Sequence, residues 1–149
     1  AELARQHGCD HVILYTREDV AKRVRELTGG EGVAVVYDGV GKDAFMGSLD
    51  SLRMRGLLVS FGNASGPVPP IEPLLLSQKG SLYLTRPVLW HYTAKREDLL
   101  ALGGELFAMV ASGKVKIKVN QTYALADVAS AHRDLEARKT TGSTILLPR

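Results

Sequence analysis

The sequence has 149 residues, 45% of them apolar and 23% charged, a length and composition that suit one soluble domain with one buried core. Its 19 basic and 16 acidic side chains are scattered along the chain, and the resulting charge of +3 leaves no strong electrostatic footprint for nucleic acid. No apolar run approaches the ~20 residues of a membrane span, no basic-then-apolar leader opens the chain, and a single cysteine, Cys9, excludes an internal disulfide.

Ala1 to Gly8 reads as the end of a helix with a glycine stop, and this abrupt start suggests a fragment or a processed product. Cys9 has no histidine at a metal-ligand spacing and is expected to pack as a small hydrophobe. His11 to Tyr15 (HVILY) is a β-branched and aromatic run that favours a buried strand. Thr16 is expected to open a helix, with Asp19 three residues on and Val20, Val24 and Leu27 on one face, stopped at Gly29 and Gly30.

Val33 to Asp38 (VAVVYD) is a continuous apolar run of the kind found in parallel strands covered on both faces. Gly39-Val40-Gly41 then forms a turn, and Asp43 is placed to cap a helix carrying Phe45, Leu49 and Leu52 inward and ending at Gly56. Leu57 to Phe61 is the next strand, followed by a loop that Gly62-Asn63-Ala64-Ser65-Gly66-Pro67 demands. A short helix over residues 74–79 and a strand over Ser81 to Thr85 complete the alternation.

Strand and helix alternating in this way imply right-handed βαβ units, a parallel sheet and the α/β class. A helix near Arg96 to Ser112 carries Leu99, Leu102, Leu106 and Val110 on one stripe, weakened at Gly103 and Gly104. From Lys114 the pattern changes: Val115, Ile117 and Val119 alternate with three lysines, as in a half-exposed strand. A last helix with Val128, Ala131 and Leu135 inward and a strand over Ser143 to Leu147 close the chain. The domain boundary is expected here, giving residues 1–113 and 114–149.

Open parallel sheets gather ligands outside the carboxyl ends of their strands. Four places qualify: Tyr15-Thr16, Gly39-Val40-Gly41, Phe61-Gly62-Asn63 and Thr85-Arg86-Pro87. Glycine at two of them permits close approach of a flat ring or ribose, although strand-end glycines also serve as plain turn residues. No nucleophile motif, P-loop or metal-ligand spacing is present. The four histidines lie far apart in sequence, His132 beside the expected buried face of the last helix, and the lysines at 114, 116 and 118 read as a solvated strand face.

The strings TGGEGVAVVYDGVGKDAF, SLDSLRMRGLLVSFGNASGPV, QKGSLYLTRP and DVASAHRDLEARKTTGSTILLP resemble, in order and spacing, the C-terminal half of the zinc-free NADPH:quinone oxidoreductases, the ζ-crystallin-like group of medium-chain dehydrogenases/reductases. The resemblance implies a partial Rossmann-type doubly wound parallel sheet lacking its first βαβ unit, followed by a strand-helix-strand segment of the catalytic domain. It further implies a cytoplasmic enzyme passing hydride from NADPH to a quinone or enone. On this resemblance Tyr15 lies near the adenosine 2′-phosphate end, Gly39, Val40 and Gly41 form the adenine-side loop, and Phe61, Gly62 and Asn63 hold the nicotinamide side. Arg138 matches a tail arginine reaching back to the cofactor, and Ser81 to Thr85 is the edge strand through which a homodimer forms.

Each position has a plainer reading beside it: Tyr15 as a strand-end aromatic, Phe61 as core, Arg138 as a cation at a helix C-terminus. The glycine-rich phosphate turn and most substrate contacts belong upstream of Ala1 in that family, so the chain alone is expected to bind NADPH poorly and to reduce nothing. In the strand order 3-2-1-4-5-6 the His11–Tyr15 strand loses its neighbours, and it is expected to repack beside Val33–Asp38 or to borrow a partner from another chain. The competing readings are a zinc-dependent alcohol dehydrogenase of the same superfamily and a non-catalytic α/β binding module.

Overall fold

The computed structural model describes residues 1–148 and divides into two compact units, Ala1–His91 and a second that begins at Tyr92. The first unit contains helix α1 (Glu2–Gln6), α2 (Val20–Leu27), strand β1 (Val33–Asp38), α3 (Phe45–Asp50), β2 (Leu52–Ser60), α4 (Pro73–Gln78) and β3 (Tyr83–Thr85). Its strands form one parallel sheet in the order β1-β2-β3, the product of the βαβ alternation anticipated from the sequence. The short helix α5 (Leu89–Tyr92) follows.

The core of this unit is small. Phe45 and Leu49 of α3 meet Leu52 and Leu58 of β2 and Leu82, and Val33, Val36, Val68, Ile71, Leu75 and Leu76 pack around them. Phe45 and Leu49 stand four residues apart, the spacing that puts both side chains on one helix face. Within the described residues only one face of β1 is covered. Its Val36 and Asp38 turn inward while Val35 and Tyr37 are exposed, because α3 packs against β1 and β2 and alternate residues point to the other face.

Several local expectations are corrected. His11–Tyr15 is not a strand and does not repack beside β1. The doubly wound order makes these segments non-adjacent, and side chains serve the backbone instead: Cys9 Sγ donates to the His11 carbonyl at 2.9 Å, and the Leu14 N–H donates to the Glu18 carboxylate at 2.9 Å. Thr16 does not open a helix. Asp19 is the N-cap, its carboxylate accepting from the Lys22 N–H at 3.0 Å. Asp43 does not cap α3, whose N-cap is Ala44; the Asp43 N–H donates to Ser65 Oγ instead.

Gly56 lies inside β2 and is not a helix stop. The register jumps from Val33–Leu52 to Val35–Leu57, so residues 53–56 bulge out of the ladder. Arg55 takes φ 58° there, and a Cβ at Gly56 would stand 2.9 Å from the Arg53 carbonyl. Beside this bulge the Arg25 guanidinium donates to the carbonyls of Gly30, Glu31, Asp50 and Leu52 at 2.6–3.2 Å, tying the end of α2 to the starts of β1 and β2.

The second unit contains α6 (Arg96–Ala111), β4 (Val119–Ala124), a 3-10 turn over Leu125–Asp127, α7 (Val128–Glu136) and β5 (Ser143–Leu147). Strands β4 and β5 pair in parallel, with α7 as the crossover. The alternating Lys114–Val119 segment is not the strand. Its apolar positions Val115 and Ile117 are exposed, and the pairing partner begins only at Ser143, opposite Val119. In α7 Ala131 is buried as expected, whereas Leu135 and His132 are exposed.

Candidate functional site

Because β1, β2 and β3 are parallel, with Asp38 level with Ser60 and Val59 level with Thr85, their carboxyl ends open along one edge. Two of the loops leaving that edge lie against each other. The Asp38 carbonyl accepts from the N–H groups of Phe61 (2.9 Å) and Gly62 (3.3 Å), the Gly39 carbonyl from Ala64 N–H (3.3 Å), and the Val40 carbonyl from Ser65 N–H (2.8 Å). Lys42 N–H donates to the Gly66 carbonyl at 3.1 Å, and Ser65 Oγ donates to the Val40 carbonyl at 2.8 Å. Residues 39–42 and 61–66 are therefore zipped together by their main chains.

Glycine makes this approach possible at two positions in particular. A Cβ at Gly62 would strike the backbone of Gly39, with its Cα only 2.7 Å away. At Gly41, where φ is +86°, a Cβ would stand 2.6 Å from the Gly66 carbonyl. Gly39 differs, because a Cβ there would meet only the Phe61 ring, 3.1 Å from Cζ, and that ring is 55% exposed.

The turn after β1 is held from beneath by Asp38, which is 3% exposed. Its Oδ1 accepts from Val40 N–H at 2.8 Å and Gly41 N–H at 3.0 Å, and its Oδ2 accepts from Ser48 Oγ at 3.0 Å. A buried carboxylate is tolerated where its oxygens are hydrogen-bonded, and this one sets the loop's path. On the other flank the Arg86 guanidinium, just past β3, donates to the carbonyls of Ser60 (2.8 Å) and Gly62 (3.2 Å).

The structure thus brings together six of the eight residues singled out from the sequence: Gly39, Val40, Gly41, Phe61, Gly62 and Asn63. Tyr15 belongs to the same unit and is 57% exposed, but no hydrogen bond joins it to either loop among the described residues. Arg138 lies in the second unit, immediately past the C-cap of α7, in a left-handed conformation with φ 57°. Sequence reasoning named Thr85-Arg86-Pro87 as a strand-end place but gave Arg86 no role of its own, and it did not single out Asp38, Ser48 or Ser65. The polar end of the VAVVYD run was the available signal for Asp38.

Chemically, the paired loops offer a glycine-flattened main-chain surface and one half-exposed aromatic ring. That surface fits the flat ring and ribose portions of a dinucleotide. It fits a pyrophosphate less well, because the N–H groups of Val40, Gly41, Phe61, Gly62, Ala64 and Ser65 are already spent on protein acceptors. Other concavities lie away from these loops. An apolar groove of about 170 Å³ runs along α7 and β5 past Val128, Ala131, His132 and Leu146, and a basic one of about 580 Å³ lies beside Arg25, Arg53, Arg55 and Lys79.

In the second unit Tyr123 Oη donates to Asp134 Oδ2 at 2.9 Å, and Lys139 Nζ donates to Oδ1 at 3.1 Å. The hydroxyl first, and then the ammonium, hold the Asp134 carboxyl below the usual carboxylate range, while the same bond to Asp134 raises the Tyr123 phenol. The pair fastens α7 to β4. Among the described residues no group of three or more His, Cys, Asp or Glu is arranged to hold a metal ion, and no helix is long and apolar enough to cross a membrane.

Comparison with known proteins gives a family model, zinc-binding dehydrogenase, matching residues 7–146. The chain is 56% identical over 148 residues to a quinone oxidoreductase of Pseudomonas aeruginosa, covering 99% of this chain and 46% of that protein. It is 46% identical over 149 residues to a 2-haloacrylate reductase of a Burkholderia species, covering 99% of this chain and 45% of that protein. Among solved structures, Escherichia coli quinone oxidoreductase complexed with NADPH superimposes with a TM-score of 0.94 at 49% identity, over 99% of this chain and 46% of that one. The chain spans a little under half the length of the relatives it matches.

Proposed function

Because the chain belongs to the zinc-binding dehydrogenase family, we propose that it forms the nucleotide-binding part of an NADPH-dependent quinone reductase. The observation that carries this reading is the pair of interlocked glycine loops, 39–41 and 61–63, at the common carboxyl edge of three parallel strands. Support comes from the identity of 56% and 49% with proteins named quinone oxidoreductase, one of them complexed with NADPH.

In this reading NADPH supplies the hydride, and the chain supplies position and exclusion of water. Gly39, Val40 and Gly41 line the adenine side, Phe61, Gly62 and Asn63 the nicotinamide side, Tyr15 the 2′-phosphate end, and Arg138 reaches back from the tail. The phosphate grip and most of the substrate pocket come from the part of the relatives that lies outside the match. The split into residues 1–113 and 114–149, a cytoplasmic location, a homodimer through the Ser81–Thr85 edge and independence from zinc belong to the same proposal.

A second acceptor class is favoured by the 46% identity to a 2-haloacrylate reductase, an enzyme named for an activated alkene. The test is NADPH oxidation by the complete protein with 1,4-benzoquinone and with 2-chloroacrylate, alongside metal analysis of the same sample. Rapid turnover of the quinone by metal-free protein is the expected result. Turnover of neither acceptor, or activity that follows bound zinc, overturns the proposal.

A further inference from the structure

We infer that Arg86 is a positioning residue that fixes the Phe61-Gly62-Asn63 segment from the β3 side; its role toward the cofactor rests on the reductase reading above, while the clamp itself does not. The geometry begins with the end of a ladder. β2 and β3 pair as far as Val59 and Thr85, and Arg86 is followed by Pro87, which has no N–H to continue the pairing. The carbonyls of the next residues on β2 would be left to water. Instead Nη1 of Arg86 donates to the Ser60 carbonyl at 2.8 Å and to the Gly62 carbonyl at 3.2 Å, with Ser60 Oγ at 3.4 Å.

The opposite side of the same segment is held by β1. The N–H groups of Phe61 and Gly62 both donate to the Asp38 carbonyl, at 2.9 and 3.3 Å. Residues 60–62 are thus bonded through their carbonyls toward β3 and through their amides toward β1. A glycine at 62 has no side chain to hold it, so these four bonds fix residues 60–62, while the bonds from Ala64, Ser65 and Lys42 hold the rest of the loop. Arginine suits the task because its planar fork carries several donors in fixed directions, whereas lysine presents a single rotating ammonium.

The experiment compares Arg86→Lys and Arg86→Gln with the wild type in the complete protein. Without cofactor, hydrogen exchange at the Phe61 and Gly62 amides should quicken roughly tenfold in Arg86→Gln and less in Arg86→Lys, with Val36 and Leu58 unchanged. The NADPH dissociation constant should rise by a similar factor, in the same order of variants. Unchanged exchange at 61 and 62 in both variants, or an equal rise across the whole sheet, overturns the clamp. Faster local exchange with unchanged NADPH affinity overturns the role toward the cofactor. Wild-type protein that binds no NADPH sinks the reductase reading, and the exchange data then still decide whether Arg86 holds the loop.

Discussion

At the scale of single residues, the interlocked loops separate two glycines that look alike in sequence. Gly62 faces the main chain of Gly39, which has no room to yield, whereas Gly39 faces the half-exposed ring of Phe61, which can swing away. Gly62→Ala should therefore cost about 2–3 kcal/mol, in the range of overpacked sites, and Gly39→Ala less than about 1 kcal/mol. Chemical denaturation of both variants checks the order, and equal losses would show that the loops do not press on each other as described. Arg138 poses the reverse question, since its φ of 57° at the end of α7 is a conformation that suits glycine. Arg138→Gly should stabilise the protein by about 0.5–1 kcal/mol while weakening NADPH binding if the guanidinium reaches the cofactor. Melting and calorimetry on one sample separate the two effects. A gain in stability with unchanged affinity would leave Arg138 as a helix-end cation only.

At the scale of elements, α7 is fastened to β4 by the Tyr123–Asp134 bond, and that fastening depends on pH. The Asp134 carboxyl is held low, so its contribution is present above the ordinary carboxylate pKa and is lost as pH falls through the folded value. The phenol is held high, so its contribution is present below its ordinary value and is lost as pH rises through the folded one. Tyr123→Phe should lower the melting temperature at pH 7, and by progressively less as the pH falls below the ordinary carboxylate range toward the lowered folded value. A penalty independent of pH would assign the effect to packing. The same elements show how far the sequence could be read. The β1, β3, α6 and β5 segments and the later part of β2 were legible because apolar runs or helical stripes with glycine breaks mark them directly, while residues 52–56 of β2 were read as the end of a helix. His11–Tyr15 and residues 114–117 misled for one physical reason: a strand is a property of a pair, and among the described residues neither segment joins a strand ladder, β4 beginning only at Val119. The paired glycine loops were legible as strand-end glycines. Arg86 was legible only as part of a strand end and Asp38 not at all, because what they do is bond to backbone atoms 2 to 26 residues away, which no local pattern records.

At the scale of the whole molecule, the three-stranded sheet has two open margins. β3 is one of them, and all three of its residues are exposed, including Tyr83 at 62%. An edge strand with large apolar side chains is a template for pairing, and natural proteins either blunt it with charge or cover it. Here no lysine, proline or acid lies within Tyr83–Thr85 to blunt it. Two copies related by a two-fold axis can cover the edge by pairing β3 with its own counterpart, since a self-complementary contact closes after two subunits and adds no third. The complete protein is therefore expected to be a dimer, and Tyr83→Lys, which brings like charges together at the axis, should convert it to monomer without changing its affinity for NADPH. Light scattering on both proteins across a concentration series is the check. A wild type that stays monomeric at the highest concentration removes the edge-pairing proposal, and a Tyr83→Lys variant that remains dimeric moves the interface away from β3.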